Sequence, residues 1–261
     1  MSPDSPVSRS LPVTNRKVLD LLRRHSPWEG KILDLGAGNG YFSSLVVEEL
    51  TRRNKKASEH LSACDYYPQN CSVAEISCTY ADLNTPLSYA DNSFDAVCSI
   101  EVIEHLENHF AYAREINRIL KPGGVAILTT PNPLNINSRL SSLLTGFQPL
   151  FDPLPLSTAD RIETGGHIHP VSPYHLIYAF HQAGFTDIHI HTDRLKLSGL
   201  FLLAFFYVPM KIASMRYFQA LSRIQPELSL ENRPYLNALM TLPVLAGRTT
   251  IIEAVKRRDP G

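Results

Sequence analysis

Residues 31–40 read Lys31-Ile-Leu-Asp-Leu-Gly-Ala-Gly-Asn-Gly40. The apolar start has the pattern of a short buried strand, and it runs straight into a glycine-rich turn. Tyr41 to Arg53 then continues with a helical pattern. Glycine lacks a Cβ and tolerates positive φ, so Gly36, Gly38 and Gly40 let a ligand lie against bare backbone. Dinucleotide sites use G-x-G-x-x-G to seat a pyrophosphate on a helix N-terminus. Here the third glycine comes one residue early, and Tyr41 holds the dinucleotide position. Asp34, just before the turn, is a poor neighbour for phosphate and suits a cationic ligand.

Outward from this turn, strand patterns at Lys31 to Leu35, Leu61 to Asp65, Cys78 to Tyr80, Ala96 to Ile100 and Val125 to Thr129 alternate with helices. Arg16 to Arg24 predicts an N-terminal helix. Glu104 to Leu120 predicts another, with Leu106, Phe110, Ala113, Ile116 and Leu120 on one side. Pro122-Gly123-Gly124 ends it. Beyond Asn132 the pattern predicts helices at Asn135 to Leu144 and Ser172 to Ala183, with Phe147 to Pro155 as a loop. Strands at Thr186 to Thr192 and Thr249 to Lys256 follow. Alternating strands and helices imply a mostly parallel sheet covered on both faces, with ligands at the carboxyl ends of the strands.

The order of these segments resembles the class I methyltransferases that use S-adenosylmethionine (SAM). SAM carries a sulfonium, an ammonium and no phosphate, so it fits the turn better than NAD. Asp34-Leu-Gly-Ala-Gly-Asn-Gly40 is similar to their first motif, and Leu61-Ser-Ala-Cys-Asp65 to their second strand with its terminal acid. Tyr80-Ala-Asp82-Leu83 is similar to the adenine loop, Ser93 to Glu101 to the fourth strand, and Arg118 to Leu128 to the fifth. The likeness is close over about residues 28–132 and fades after them. Glu101-Val-Ile-Glu-His105 and Thr130-Pro-Asn132 resemble the ubiquinone-biosynthesis O-methyltransferases.

The resemblance implies a Rossmann-like α/β fold: a mostly parallel seven-stranded sheet closed by an antiparallel pair, with a helical insertion before the last strand. It also implies the cofactor contacts. Gly36, Gly38 and Gly40 would line the methionine part, with Asp34 facing its ammonium directly or through water. Asp65 would accept from the ribose hydroxyls, Tyr66 would pack on the adenine, Asp82 and Leu83 would hold its amino edge, and Glu101 would close the site.

Glu101, Glu104 and His105 form an E-x-x-E-H pattern similar to the metal site of small-RNA 2′-O-methyltransferases. With His167 from Gly166-His-Ile-His169, these residues offer two carboxylates and two imidazoles, a donor set for Mg²⁺, Mn²⁺ or Zn²⁺. Without a metal, Glu104 caps a helix start and His105 lines the pocket. His105 and His167 are also candidate catalytic bases, since imidazole titrates near neutral pH. The other histidines show no ligand spacing.

The 261 residues are 44% apolar and 19% charged, with a net charge of zero, which argues against general nucleic-acid binding. Four cysteines without a C-x-x-C pair suggest a reducing, cytoplasmic setting, with Cys64 and Cys98 as buried thiols. Residues 1–14 read as a mobile tail whose Met1 to Pro12 lacks the apolar core of a signal peptide, and 15–261 as one domain. The segment 194–246 is an insertion whose Leu197 to Met210 is almost wholly apolar, yet shorter than the roughly 20 residues of a span. It is either a cap over the site or a peripheral membrane contact through residues 197–216. The expected activity is SAM-dependent methylation, foremost O-methylation of a small or lipid-like hydroxylated acceptor. Nitrogen, carbon or RNA acceptors, and a non-catalytic SAM-binding or membrane-docked partner, are the alternatives.

Overall fold

The computed structural model describes residues 10–156 and 166–258. Seven strands form one sheet: β1 (Ile32–Leu35), β2 (Leu61–Asp65), β3 (Cys78–Tyr80), β4 (Phe94–Ile100), β5 (Leu120–Pro131), β6 (Phe185–His191) and β7 (Thr249–Lys256). Their order is β3-β2-β1-β4-β5-β7-β6. The first five neighbours pair in parallel, while β7 runs antiparallel between β5 and β6. The expected antiparallel closure is therefore present. The order reverses at β1, whose carboxyl end is where ligands bind in such sheets.

Nine α-helices surround the sheet among the described residues: α1 (Pro12–His25), α2 (Tyr41–Arg52), the single-turn α3 (Ala57–His60), α4 (His109–Ile119), α5 (Ile136–Thr145), α6 (Pro173–Gln182), α7 (Leu197–Ile224), α8 (Pro226–Ala238) and the single-turn α9 (Leu242–Leu245). Strand side chains alternate between faces, and both faces are buried. On one side Ile32, Ala96 and Cys98 pack with Val18 and Leu22 of α1 and Phe42 and Val46 of α2. On the other, Leu33, Leu35 and Val97 pack with Ala113 and Ile116 of α4 and Phe180 of α6.

Several elements differ from the sequence pattern. α1 starts at Pro12, before the predicted Arg16, because Thr14 is drawn in by a 2.8 Å hydrogen bond to Asp193. The predicted tail of residues 1–14 thus loses its last three to a helix, and residues 1–9 lie outside the described residues. α4 starts at His109, not Glu104. Asn108 caps it by accepting from the Ala111 N–H at 2.9 Å, and Ile103–His105 form a separate 3₁₀ turn. β5 already begins at Leu120, and its Pro-Gly-Gly lies where the pairing with β4 shifts register. α7 runs on past the apolar segment to Ile224, so at 28 residues it is long and apolar enough to cross a membrane by length and composition. Only Gly199 and Leu203 of it are buried, so it is no buried cap.

A connection absent from the sequence reading joins both sides of the chain. The Glu253 carboxylate of β7 meets His25 Nε2 of α1 at 2.6 Å and His191 Nε2 of β6 at 2.7 Å. Those two hydrogen bonds, His191's first, hold its carboxyl well below the usual range.

Two glycines of the β1–α2 turn have separable roles. Gly36 has φ +82° and a Cβ there would sit 2.4 Å from Val102 Cγ2, whereas Gly38 has φ +55° and open space at that position. Gly36→Ala should therefore lower stability by about 1–3 kcal/mol through strain and clash. Gly38→Ala should keep more of the stability and lose cofactor affinity, because its methyl enters the ligand's side of the turn. Thermal unfolding beside calorimetry with S-adenosylhomocysteine checks the pair, and equal effects of both changes on both readouts would contradict it.

Candidate active site

The glycine turn is tied to β2 by backbone. Gly36 N–H and Ala37 N–H both donate to the Cys64 carbonyl, at 2.9 and 3.0 Å. Asp65, at the end of β2, accepts from Gly38 N–H at 2.8 Å and from Tyr67 N–H at 2.8 Å. A carboxylate has about four lone-pair positions, so each oxygen keeps capacity for a ribose hydroxyl. Asp65 thus shapes the turn whatever it binds. Tyr66 beside it stacks against Tyr80 at 5.5 Å between ring centres. Across the cleft, β3 ends in the loop of Asp82 and Leu83. Asp82 accepts from Asn84 N–H at 3.0 Å, which closes a tight turn, and Leu83 leans on the core.

Asp34 sits differently from the sequence reading. It is 1% exposed, and it accepts a 2.6 Å hydrogen bond from the Ser43 hydroxyl of α2. It therefore lies behind the turn and does not face a ligand directly. Burial pushes its carboxyl up to about 7, against the opposing Ser43 bond. Its place is to join β1 to α2 through Ser43.

Beyond β4 the E-x-x-E-H residues divide. Glu101 has a positive φ of 54°, a strained setting for a non-glycine residue. Its N–H is held by the Thr129 hydroxyl at 3.0 Å, and its carboxylate accepts from Arg248 at 3.4 Å. Burial raises its pKa and Arg248 opposes the rise. Arg248 also lies 3.9 Å from Asp193, which receives Thr14 and Thr249. Arg248 and Asp193 carried no motif; their only signal was charge beside a strand start, too weak to single them out.

Glu104, His105 and His167 do come together, with one ligand atom from each within 4.8 Å of the others. Glu101 is outside this group. The expected four-residue metal set is thus reduced to three, because Glu101 turns to Arg248. Glu104 is fully buried on the 3₁₀ turn, and neither carboxylate oxygen has a hydrogen bond of good geometry. Burial pushes its carboxyl up to about 8, and nearby Glu101 adds to the rise. The Glu104 carbonyl accepts from Ile168 and His169 N–H, at 2.9 and 3.1 Å, which brings the 166–169 segment to the turn. His105 Nδ1 pairs with the Gly166 carbonyl at 2.9 Å, so its donor is engaged there and Nε2 presents a lone pair. The rings of His105 and His167 meet edge to face at 4.8 Å. His167 Nδ1 is buried without a partner. Burial lowers the pKa of both imidazoles, which keeps them neutral near pH 7. His169 instead bonds the Leu106 carbonyl at 2.9 Å and packs on His109.

His167 also lines a groove of about 380 Å³ with Phe147, Phe151, Leu154, Leu156 and Ser142. Phe151 contacts the His167 ring at 5.4 Å. Gln148 and Asp152 line it too, so the groove brings mixed polar and apolar surface up to His167.

Comparison with known proteins agrees with this geometry. Residues 10–190 match the methyltransferase domain family. A protein of Mycolicibacterium smegmatis named "Probable S-adenosylmethionine-dependent methyltransferase/" is 25% identical over 56% of this chain and 61% of its own length. The ubiquinone biosynthesis O-methyltransferase of Cereibacter sphaeroides is 33% identical over 41% of this chain and 43% of its own. The chain thus spans about half the length of these relatives. A SAM-dependent methyltransferase structure from Archaeoglobus fulgidus has the same fold, with a TM-score of 0.53 at 17% identity over 93% of this chain and 94% of that one. The chain belongs to the methyltransferase domain family and has its Rossmann-like fold.

Two outcomes follow from these contacts. Asp65→Ala removes the charged acceptor and frees the Gly38 N–H, so it should weaken S-adenosylhomocysteine binding by about 1.5–3 kcal/mol or more. Calorimetry measures this, and unchanged affinity would remove Asp65 from the site. The second concerns pH. With raised folded values, Asp34 and Glu104 hold protons that the unfolded chain releases near the ordinary carboxylate range. Above the ordinary imidazole range, where the depressed His105, His109 and His167 no longer oppose the trend, stability of the cofactor-free protein should therefore fall as pH climbs from about 6.5 to about 8. Glu104→Gln should flatten that decline in melting temperature; an identical slope would show that Glu104 is not buried as a neutral acid.

Proposed function

We propose that the protein transfers the SAM methyl group to a hydroxyl of a small or lipid-like acceptor. The observation that carries this reading is the meeting of Glu104, His105 and His167, the last of which also lines the groove beside Phe147, Phe151 and Leu154. A neutral imidazole of His105 or His167 takes the hydroxyl proton. The oxygen then attacks the methyl carbon in line, the O–C bond forms and the S–C bond breaks. The sulfonium becomes the neutral thioether of S-adenosylhomocysteine. Glu104, buried as a neutral acid beside them, fixes the turn through its carbonyl, which accepts from Ile168 and His169 N–H. The groove holds the acceptor's apolar part and aligns its oxygen, which is the main contribution a protein makes to an already activated donor. The likeness to a ubiquinone biosynthesis O-methyltransferase supports oxygen as the receiving atom.

The same three side chains have the donor set of a divalent-cation site. Glu104 has open carboxylate oxygens, His167 has an unpartnered Nδ1, and His105 is oriented through Gly166. A bound Mg²⁺, Mn²⁺ or Zn²⁺ would polarise the acceptor hydroxyl and lower its pKa.

The test is incubation of the purified protein with methyl-labelled SAM and cell extract, fractionated into lipid, small-molecule, protein and RNA pools. Label should appear in the lipid or small-molecule pool as a methyl ether. His105→Gln and His167→Gln should each slow its appearance, by about 10²–10⁴-fold for whichever is the base, with S-adenosylhomocysteine affinity nearly unchanged. Label confined to protein or RNA, or none at all, would overturn the proposal. Chelator added to the same assay reports on the cation: full activity in excess EDTA excludes a required metal.

A further inference from the structure

Helix α7 has two apolar faces. One carries Gly199, Leu203 and Met210, and it packs on Ile136 and Leu140 of α5 and on Leu245 and Ala246. The other meets no part of the described chain that would bury it. Leu197, Phe201, Phe205, Val208, Ile212 and Met215 are between 48% and 83% exposed. Their spacing of three and four residues keeps them on one side of the helix. At about 100° per residue the six fall within an arc of roughly 80°, and the stripe runs about 27 Å.

The charges on α7 are of one sign. The helix has no Asp or Glu, and Lys211 and Arg216 flank the exposed stripe on opposite sides, roughly 40° and 20° beyond its edges. Flanks for a partner helix commonly carry both signs, which pair across the seam. Cations alone on both borders, with phenylalanines between them, match acyl chains bounded by anionic headgroups.

We propose that α7 is an in-plane docking surface for a bilayer containing anionic lipid, with the stripe in the acyl boundary and Lys211 and Arg216 at the phosphates. The topology decides between lying in the membrane and crossing it. A crossing would carry Gln225 to the far side and force α8, with Glu227, Glu231 and Arg233, back through hydrocarbon. α8 is instead fastened beside α6, where the Tyr174 hydroxyl donates to Asn232 at 3.0 Å. Ser222 and Ser229 join the two helices of the hairpin at 2.6 Å. α7 and α8 therefore stay on the same side as the catalytic body.

The test is flotation of the full chain with vesicles of phosphatidylcholine alone and of phosphatidylcholine mixed with phosphatidylglycerol. The protein should float with the mixed vesicles about tenfold more than with the neutral ones, and added salt should reduce the difference. The double variant Phe205→Ser, Val208→Ser should lose flotation while keeping its melting temperature and S-adenosylhomocysteine affinity, since both positions are exposed. Phe205→Trp should be quenched by nitroxide labels on acyl chains, whereas the buried Trp28 of the parent should not. Absence of flotation, or equal flotation of the double variant, would overturn the proposal. A vesicle-independent dimer that the double variant abolishes, with no flotation, would also overturn it and assign the stripe to a second copy of the chain.

Discussion

The site rests on a backbone hinge between two parallel strands. The Cys64 carbonyl takes two successive N–H groups from the turn after β1, and Asp65 takes a third. These bonds put the turn at the topological reversal of the sheet and leave its outer side bare. Glycine suits both places: at Gly36 a side chain would strike Val102, and at Gly38 the left-handed φ of +55° strains any side chain. Asp65 is then a strut of the turn, whatever else it binds. Losing it disturbs the shape of the pocket along with the contact.

The second constraint is a cost the fold accepts near the reaction centre. Glu104 is buried with no good hydrogen bond, and Glu101 is held in a strained backbone conformation. An unpartnered buried carboxyl works against folding. Strained and unsatisfied groups persist where the surroundings over-determine them, and such places tend to be functional. Here the surroundings are the 3₁₀ turn, the Gly166–His169 segment bonded to it, and the network from Arg248 to Asp193. The two imidazoles beside Glu104 are held below their ordinary pKa by burial.

The sheet and its turn were legible because their signals are local. The apolar runs at residues 32–35 and 96–98, the three glycines, and the terminal Asp65 all sit within short windows, and they fold as their pattern suggests. The convergence of His167 with the Glu104 turn was also legible, because Gly166-His-Ile-His169 lies just before a predicted helix and could reach it. What the sequence concealed depends on distant partners. Glu101 looked like a ligand until Arg248, 147 residues away, claimed its carboxylate. Asp34 looked like a ligand contact, since nothing local reveals that Ser43 turns it inward. The length of α7 was misread because Lys211 and Arg216 end the apolar run, although Ala213, Met215, Gln219, Ala220 and Leu221 are good helix formers that carry the helix onward.

The clasp of Glu253 by His25 and His191 bears on how the chain is made. His25 and Glu253 are 228 residues apart, so α1 leaves the ribosome long before the carboxylate it must meet. Until β7 is synthesised and slips between β5 and β6, the apolar side of α1 has only part of its final seat. Such non-local closure is slow and exposes greasy surface in the interval. Maturation of this protein should therefore finish late, in one step that inserts the middle strand and latches the first helix together, which makes nascent chains stalled before residue 253 natural clients for chaperones.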